Sequence, residues 1–489
     1  MSTFDPHGQR LPIKIDSTSN GEFVPRPLPE VNRLANALAL ERATDAAKAL
    51  GLSRRNFLVS SCGAAATLMA FNEAHAAVGA TGGRFELPPE ARFEVAAADS
   101  VLKSEDIVFD IQGHHMSPIA KWRNPKAAWN EVAKYIPRAQ CLPKEQLGES
   151  GHLDCLSRDV FVKEVFLDSD TAMGVLTFVP SIEDDMPLST EEAAITKSIV
   201  DALDGTERLL LHGRVIPNVP GDIERMEHLL KYWKISAWKT YTQFGDGWWL
   251  DDPRTGIAFI ERARELGCKL ICVHKGIPLP PMGQDLTFSR ADDIGRVARR
   301  YPDVTFIIYH SGWDPAFKEE AFAPGAKKGG VDSLVQSLID NGIAPNSNVY
   351  AELGSTWREL MKAPEQAAHV LGKLLKYVGE DRVLWGTDSI WYGSPQDQIQ
   401  AFRSFQISDE LCDKHGYSKL TPEIKRKIFA LNASVPYRVD LERIRKRLDK
   451  DAVGRARANY APERNPSFLT YGPRTRREFL RLNAEGGVG

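Results

Sequence analysis

Eight short, mostly apolar segments alternate with helix-like segments between residues 105 and 440. Segments of this length and composition are typical of strands that are buried on both faces. The predicted strands are Ile107–His115, Met173–Val179, Arg208–Gly213, Lys234–Thr240, Lys269–His274, Val304–His310, Asn348–Leu353 and Arg382–Thr387. The predicted helices between and after them are Glu191–Leu203, Ile223–Tyr232, Pro253–Leu266, Ala291–Tyr301, Val331–Leu338, Glu365–Val378 and Pro422–Asn432.

Strands that alternate with helices predict a parallel sheet, and eight such units are the number that closes a (β/α)8 TIM barrel. A doubly wound α/β sheet is the structural alternative, but no glycine-rich phosphate-binding motif follows any of the strands. We therefore expect an α/β chain with a TIM-barrel domain over residues 105–440.

Two further segments extend this barrel. The connection Met116–Thr171 is long, polar and contains Trp122, and a long insertion after a strand of such a barrel tends to cover the active site. Residues 441–489 are rich in Arg and Lys, and we expect a helix to about Leu448 followed by an irregular arm. This arm would lie on the barrel or on a neighbouring subunit, and a homo-oligomer is left open.

The chain before residue 105 has the pattern of a leader. Residues 1–52 are polar, and residues 53–77 contain Ser-Arg-Arg-Asn-Phe-Leu, an uncharged run and Ala74-His75-Ala76. This order resembles a twin-arginine signal, which predicts export to the periplasm by the twin-arginine machinery. A cytoplasmic protein is the alternative. We set both segments apart from the fold and expect an extended linker over residues 78–104, without a stable membrane span.

Composition narrows the class of partner. The formal net charge is −3, so nothing predicts binding to nucleic acid, and a hydrophobic content of 43% is enough for a large core. The six cysteines have no zinc-finger spacing. Cys141 and Cys155 could form a disulfide in an exported protein, or they could be two free thiols.

Polar side chains recur at the carboxyl ends of the predicted strands. These residues are Gln112, His114, Lys239, His274, His310, Glu352 and Asp388. A single histidine at a strand end is usually a hydrogen-bonded structural residue. The ends of all eight strands meet at one mouth of a barrel, however, so we expect these side chains to form one site for a small-molecule substrate.

Four sequence features stand out: Asp110-x-Gln112-x-His114, the single histidines that end strands five and six, Gly386-Thr387-Asp388 and Leu431-Asn432-Ala433. Together they resemble the motifs of the amidohydrolase superfamily, in its amidohydrolase-related (amidohydrolase 2) branch. The resemblance covers Ser104 to Asp440.

The resemblance implies one divalent metal ion held by His114, His274 and Asp388. Gln112 stands where the family has the first histidine of a pair, and an amide binds metal poorly, so Gln112 is a doubtful ligand. Zinc is the expected ion, with manganese or iron as alternatives. The resemblance also implies that Asp388 accepts a proton from water and that His310 orients the substrate or stabilises an oxyanion.

Three further residues are expected to contact substrate. Lys239 would pair with Glu352 or hold a substrate carboxylate, and Trp248 would stack on a ring or pack the long insertion onto the barrel. The predicted activity is hydrolysis of an amide, ester or lactone bond in a small cyclic or carboxylate-bearing molecule. A non-oxidative decarboxylase on the same site is one alternative. A metal-free or catalytically silent binding protein is another, because of Gln112.

Overall fold

A ring of eight parallel strands forms the centre of the computed structural model, which describes residues 5–117, 156–180, 188–202, 208–278, 286–325 and 329–485. The ring runs in chain order from β2 to β9. The strands of the structure are β1 (Gly83–Phe85), β2 (Val108–Gly113), β3 (Thr171–Leu176), β4 (Leu209–Arg214), β5 (Ala237–Tyr241), β6 (Leu270–His274), β7 (Thr305–Tyr309), β8 (Val349–Glu352), β9 (Val383–Leu384) and β10 (Phe405–Ile407). The predicted TIM barrel is confirmed, and the eight predicted strands differ from the observed ones only at their ends.

Main-chain hydrogen bonds between the first and last strands close the ring. The amide of Ile111 donates to the carbonyl of Trp385 at 3.1 Å, and the amide of Asp388 donates to the carbonyl of Gln112 at 3.0 Å. The amide of His114 donates to the carbonyl of Ser389 at 2.6 Å. Three predicted site residues therefore take part in the closure itself, which fixes their backbone positions.

Helices surround the barrel, and the structure adds Gln396–Ser404 to those that the sequence pattern predicts. Those that follow the strands are Thr190–Ala202, Met226–Trp233, Gly256–Glu265, Ile294–Arg300, Val331–Asp340, Pro364–Lys373, Gln396–Ser404, Pro422–Arg426 and Asn432–Tyr437. Shorter helices are Arg158–Phe161, Thr356–Leu360, Asp409–His415 and Leu441–Arg445, and π-helical turns lie at Val162–Leu167, Leu374–Val378 and Lys427–Leu431.

Side chains that alternate between the two faces of each strand belong to two separate hydrophobic cores. In β6, Ile271 and Val273 belong to a buried cluster that includes helix residues such as Phe259. Cys272, between them, belongs to a second cluster with Phe109 of β2. Successive side chains of a strand point to opposite faces, so one set packs under the helices and the other fills the barrel.

The residues before the barrel are part of the fold, so their separation from it in the sequence analysis is wrong. They form α1 (Glu30–Ala49), α2 (Arg54–Val59), α3 (Ser61–Ala77) and α4 (Val95–Leu102). Ser53 caps the start of α2, because its side chain accepts a hydrogen bond from the amide of Asn56. Alanines of α1 and α3 bury their faces in the main core, where small side chains allow close helix packing.

Residues 78–104 are not extended. Gly83–Phe85 pairs antiparallel with Phe405–Ile407, and Ala98 and Leu102 of α4 are fully buried. This small sheet and helix attach the amino-terminal helices to the helical layer of the barrel. The bounds drawn for the separate segments and the twin-arginine export stay predictions.

Residues 13–23 cross from the amino-terminal helices to the mouth of the barrel, and we call them the N-terminal segment. Lys14 forms a buried ion pair with Asp397 at 3.3 Å. Arg358 donates to Asp16 at 2.8 Å. The amide of Ser19 donates to the carbonyl of Pro473 at 2.9 Å, so the carboxyl-terminal arm holds the segment from its other side.

The carboxyl-terminal arm lies on the barrel. Arg208 and Asp451 form a buried ion pair, and the amide of Tyr471 donates to the carbonyl of Trp391 at 2.7 Å. The helices Ala452–Tyr460 and Arg476–Glu485 replace the irregular chain predicted after Leu448.

The predictions on the long insertion, on Trp122 and on a disulfide between Cys141 and Cys155 stay predictions. Cys141, Cys155 and Trp122 lie outside the described residues. Among the described cysteines, Cys62, Cys268, Cys272 and Cys412 are free thiols. In the described part of the chain, no helix combines the length and the apolar character that a membrane span needs.

Candidate active site

Asp388, after β9, is the most heavily hydrogen-bonded carboxylate at the barrel mouth. Its Oδ1 accepts from Nε2 of Gln112 and Nε2 of His114, both at 3.0 Å. Its Oδ2 accepts from Asn20 Nδ2 at 2.7 Å and Ser355 Oγ at 2.5 Å. The structure therefore brings together three predicted site residues, with Gln112 and His114 as hydrogen-bond donors to the carboxylate.

These contacts also determine the charge of Asp388. Burial alone would raise the pKa of its carboxyl group, but the hydrogen bond and charge of His114 hold the pKa well below its usual range. His310 and Ser355 act in the same direction. Asp388 is thus a buried anion that four donors satisfy, which makes it a weak base in this arrangement.

Asp110 of β2 is hydrogen-bonded to the backbone directly before Asp388. Its carboxylate accepts hydrogen bonds from the amide of Thr387 at 3.1 Å and from the amide of Gln112 at 3.0 Å. The Thr387 hydroxyl donates to the other carboxylate oxygen. Burial raises the pKa of Asp110 to about 7. The strand-one motif and the Gly386-Thr387-Asp388 motif are therefore tied directly to each other.

His274, the last residue of β6, and His310, which follows β7, form a second group. Their rings lie edge to face with centroids 4.5 Å apart, and both side chains are fully buried. His274 Nε2 lies 3.2 Å from the carbonyl of Ile277, and His310 Nδ1 lies 2.7 Å from the carbonyl of Gly354. Each of these nitrogens must carry the proton, because a carbonyl oxygen only accepts.

The opposite nitrogens of the two rings, His274 Nδ1 and His310 Nε2, are buried without a hydrogen-bond partner among the described residues. Burial, followed by the charge of His310, lowers the pKa of His274 well below its usual value. Burial also lowers the pKa of His310 to about 4. Both rings are therefore neutral near pH 7 and present a lone pair to the mouth.

Glu22, in the N-terminal segment, lies where these lone pairs converge. Its Oε1 is 3.8 Å from His274 Nδ1, and its Oε2 is 3.9 Å from His310 Nε2. Its side chain is 17% exposed. Burial and the nearby charge of Asp388 raise the pKa of Glu22 to about 8.

Sequence reasoning missed Glu22 and Asn20 because it set residues 1–52 apart from the fold. The chain offers one weak local signal, the turn-forming Asn20-Gly21 followed directly by an acidic residue. Gly21 has a φ of +92°, and the Asn20 side chain accepts from the amide of Glu22 at 3.0 Å. No local pattern shows that this turn reaches a barrel mouth hundreds of residues away.

Lys239 and Glu352 do not form the predicted direct pair. Lys239 Nζ lies 3.4 Å from the centre of the Tyr309 ring, without a hydrogen-bond partner among the described residues, and burial lowers its pKa to about 8. Glu352 accepts from the amides of Gly354 at 2.5 Å and His310 at 3.0 Å. Burial raises the pKa of Glu352 to about 8. It therefore anchors the loop backbone that carries His310.

Close packing around Glu352 explains a glycine of the strand-eight motif. A Cβ atom at Gly386 would lie 1.7 Å from Glu352 Oε1, which is far inside contact distance. Any larger residue at this position would displace the carboxylate from the amide of Gly354, which donates to Oε1, and with it from the amide of His310, which donates to Oε2. Gly386 thus keeps the loop after β7 in place.

Three non-glycine residues of the site have left-handed backbones. The φ angles are +64° at His310, +53° at Ser355 and +58° at Asp388. Such conformations cost about 1 kcal/mol or more each and cluster at functional sites, where the surrounding contacts hold them. All three follow strand ends, so the barrel imposes the turns that aim these side chains.

Trp248 packs in the main core. It is 4% exposed, and its indole nitrogen donates to the carbonyl of Tyr241 at 3.2 Å. Contact between Trp248 and a substrate stays a prediction.

The donor set at the mouth fits a divalent ion. Glu22, His274 and His310 each place one ligand atom within 4.8 Å of the others. Ligand atoms bound to one zinc ion at about 2.0–2.2 Å are about 3–4 Å apart, so a small adjustment of these side chains suffices. The predicted set of His114, His274 and Asp388 differs, because His114 and Asp388 face each other. Their roles as metal ligands stay predictions.

The closed barrel and the histidine and carboxylate side chains at its mouth define a TIM-barrel protein with a metal-capable site. A family model described as amidohydrolase matches residues 190–439, just over half of the chain. The chain belongs to this amidohydrolase family, which confirms the family resemblance seen in the motifs.

Solved structures are similar at low sequence identity. An uncharacterised TIM-barrel protein from Bordetella bronchiseptica has 15% identity and a TM-score of 0.43, over 69% of this chain and 99% of its own. A 5-carboxyvanillate decarboxylase from Sphingomonas paucimobilis has 13% identity and a TM-score of 0.41, over 68% and 99%. A dihydroxybenzoic acid decarboxylase from Polaromonas with bound manganese has 13% identity and a TM-score of 0.37, over 68% and 97%. A search of curated proteins found no match.

Proposed function

We propose that this chain is a divalent-metal-dependent hydrolase that cleaves an amide, ester or lactone bond in a small cyclic or carboxylate-bearing molecule. The observation that carries the proposal is the pair His274 and His310. Each ring donates one N–H to a main-chain carbonyl, and its other nitrogen, which has no hydrogen-bond partner in the described part of the chain, faces a common point. Histidines that bind metal are held in this way, because the second hydrogen bond fixes the tautomer.

When bound, a divalent ion would supply Lewis-acid polarisation of the scissile carbonyl group and a water molecule of lowered pKa. The chain's own contribution is a buried, water-poor mouth in which His274 and His310 are at most 1% exposed. Lys239 places a cation beneath the site, which suits a substrate that carries a carboxylate.

Asp388 is the proposed proton acceptor, and its contacts show how one lone pair can be released. Ser355 Oγ lies 2.5 Å from Asp388 Oδ2 and also 2.8 Å from the hydroxyl of Tyr392. Rotation of the Ser355 O–H toward Tyr392 frees one lone pair on Asp388 without any movement of the backbone. The proton taken from water would then stay on this oxygen until it passes to the leaving group.

The test combines metal analysis with a variant. We expect about one equivalent of zinc, manganese or iron in the purified chain, and hydrolysis of some amides, esters or lactones in a substrate panel. Asp388→Asn should lower kcat about 100-fold or more, because general-base catalysis contributes about 10²–10⁴. The exposed Asp413→Asn is the matched control. Less than about a tenth of an equivalent of metal after reconstitution would contradict the proposal.

Non-oxidative decarboxylation is a second candidate, favoured by the four donors on Asp388. Decarboxylation removes CO₂ from a carboxylate and adds one proton to the carbon, so it needs no base for water. Carboxylated candidates incubated in ¹⁸O-labelled water separate the two reactions. Hydrolysis places the label in the product, whereas decarboxylation releases CO₂ and leaves the product unlabelled.

A further inference from the structure

Side chains of the protein itself hold Glu22 in position. Asn20 Nδ2 donates to Glu22 Oε2 at 2.5 Å and to Asp388 Oδ2 at 2.7 Å, so one amide group spaces the two carboxylates. Around this turn, Thr18 contacts Thr470 at 2.7 Å and Asp16 accepts from Arg358 at 2.8 Å. The N-terminal segment is thus a fixed wall of the site.

The two histidine rings offer no hydrogen-bond donor to the carboxyl group of Glu22. Its two oxygens face two ring nitrogens that bear lone pairs, at 3.8 and 3.9 Å, and no proton on either ring points at the carboxylate. These separations are too long for hydrogen bonds. Three electron-pair donors that converge without hydrogen bonds are stabilised by a cation placed between them.

Asp388 is a poorer candidate for the carboxylate ligand of this cation. Each of its oxygens already accepts two hydrogen bonds, from Gln112 and His114 on one side and from Asn20 and Ser355 on the other. A metal bond there would displace at least one donor and leave it unpaired in a buried site. Glu22 accepts one side-chain hydrogen bond, from Asn20, and has lone pairs to spare.

We propose that Glu22 is the carboxylate ligand of a divalent-cation site that it completes with His274 and His310. Two imidazoles and one carboxylate are the protein ligands of one class of catalytic zinc site, which keeps a fourth position open. In this chain a residue from outside the barrel supplies an anionic ligand, whereas the strand-one position has the neutral Gln112. The inference rests on the proposed function for the nature of the site, but its test requires no turnover.

The experiment measures metal binding by the full chain after chelation. Zn²⁺ is titrated by calorimetry into the wild type, Glu22→Gln and the matched control Glu30→Gln, which makes the same change at an exposed residue. We expect one site in the wild type and in the control, and an affinity lower by at least about 100-fold in Glu22→Gln, because loss of a group that only orients a ligand already costs about 10–100-fold. The visible bands of bound Co²⁺ should change in Glu22→Gln and not in Glu30→Gln.

His274→Ala separates this inference from the proposed function. Zinc binding that His274→Ala abolishes and Glu22→Gln leaves unchanged would overturn the role of Glu22 and keep a metal site in the barrel. A wild type that binds no Zn²⁺, Mn²⁺ or Fe²⁺ would overturn both proposals. Thermal unfolding in chelator tests the fold of each variant. Should Glu22→Gln fail to fold, Glu22→Asp keeps the charge on a shorter side chain, and wild-type affinity in that variant would overturn the inference.

Discussion

The strand ends of the barrel and the N-terminal segment contribute to one site but are held in different ways. His274 and Glu352 end strands whose main chains are hydrogen-bonded to neighbouring strands on both sides. Asn20 and Glu22 lie on irregular chain that side-chain contacts hold, such as Lys14 with Asp397. Backbone pairing can be anticipated from local sequence, whereas these long-range side-chain contacts cannot.

Removal of the amino-terminal region should have the largest effect. A chain that begins at Val78 loses buried side chains that include Ile13, Phe23, Phe57 and Phe71. Each contributes about 1.5–3 kcal/mol, so their sum approaches the whole stability of a typical domain. We expect an insoluble chain, or a Tm lowered by more than about 10 °C relative to the full chain in thermal unfolding.

The truncated chain also bears on the predicted export. Cleavage near Ala77 would remove Glu22 together with the helices α1 to α3. Sequencing the amino terminus of protein recovered from the periplasm shows whether this region is cleaved off or kept. A start near Ala77, with a truncated chain that unfolds at the wild-type temperature, would contradict the structural role of this region and support the signal.

Lys14→Met should destabilise the protein by about 3 kcal/mol, because it removes the ion-pair partner of the buried Asp397. Chemical denaturation measures this change in the free energy of unfolding. The double variant Lys14→Met/Asp397→Asn removes both charges and should recover part of the loss. A single variant within about 0.5 kcal/mol of the wild type would show that the N-terminal segment is attached by other contacts.

Acid should weaken the amino-terminal helices through His75 in α3. Burial lowers the pKa of His75 from 6.5 to about 4, and its Nε2 contacts Asn32 of α1 at 2.8 Å. Between these pH values the unfolded chain binds a proton that the folded chain excludes, so stability falls as the pH falls from 6.5 to 4. We expect about 1–2 kcal/mol, allowing for solvent near the ring.

The pH effect is measured as a difference between two chains. Denaturation of the wild type and His75→Gln at pH 7 and pH 4.5 isolates this one group from the other buried histidines. The wild type should lose more stability than His75→Gln over this interval. Equal losses would assign the acid sensitivity to another residue.

Arg42→Ala should have the smallest effect. Arg42 pairs with Glu73 at 3.2 Å between α1 and α3, but the two side chains are 40% and 57% exposed. Exposed ion pairs contribute about 0–1 kcal/mol, since water screens the attraction. Denaturation at low and high salt should show a loss of no more than about 0.5 kcal/mol that salt removes. A larger loss would mean that this pair, and not buried packing, holds the two helices.

Most of the barrel followed from local pattern, and part of the site did not. The predicted strand ends place His114, His274, His310 and Asp388 at one mouth, and the structure has them there. The sequence analysis set the amino-terminal residues apart from the fold because an alanine-rich run after Arg54-Arg55 has the composition of a signal and also of a small-residue helix that packs closely in a core.

The strands, their order and the end at which the polar residues gather were determined by the sequence, because hydrophobic periodicity acts over a few residues and parallel units leave little choice of topology. The partners of those polar residues were determined by the tertiary structure. Gln112 donates to Asp388 and Glu22 faces the two histidines only because distant segments meet at the mouth. Such contacts depend on the sum of long-range packing, which no short stretch of sequence encodes.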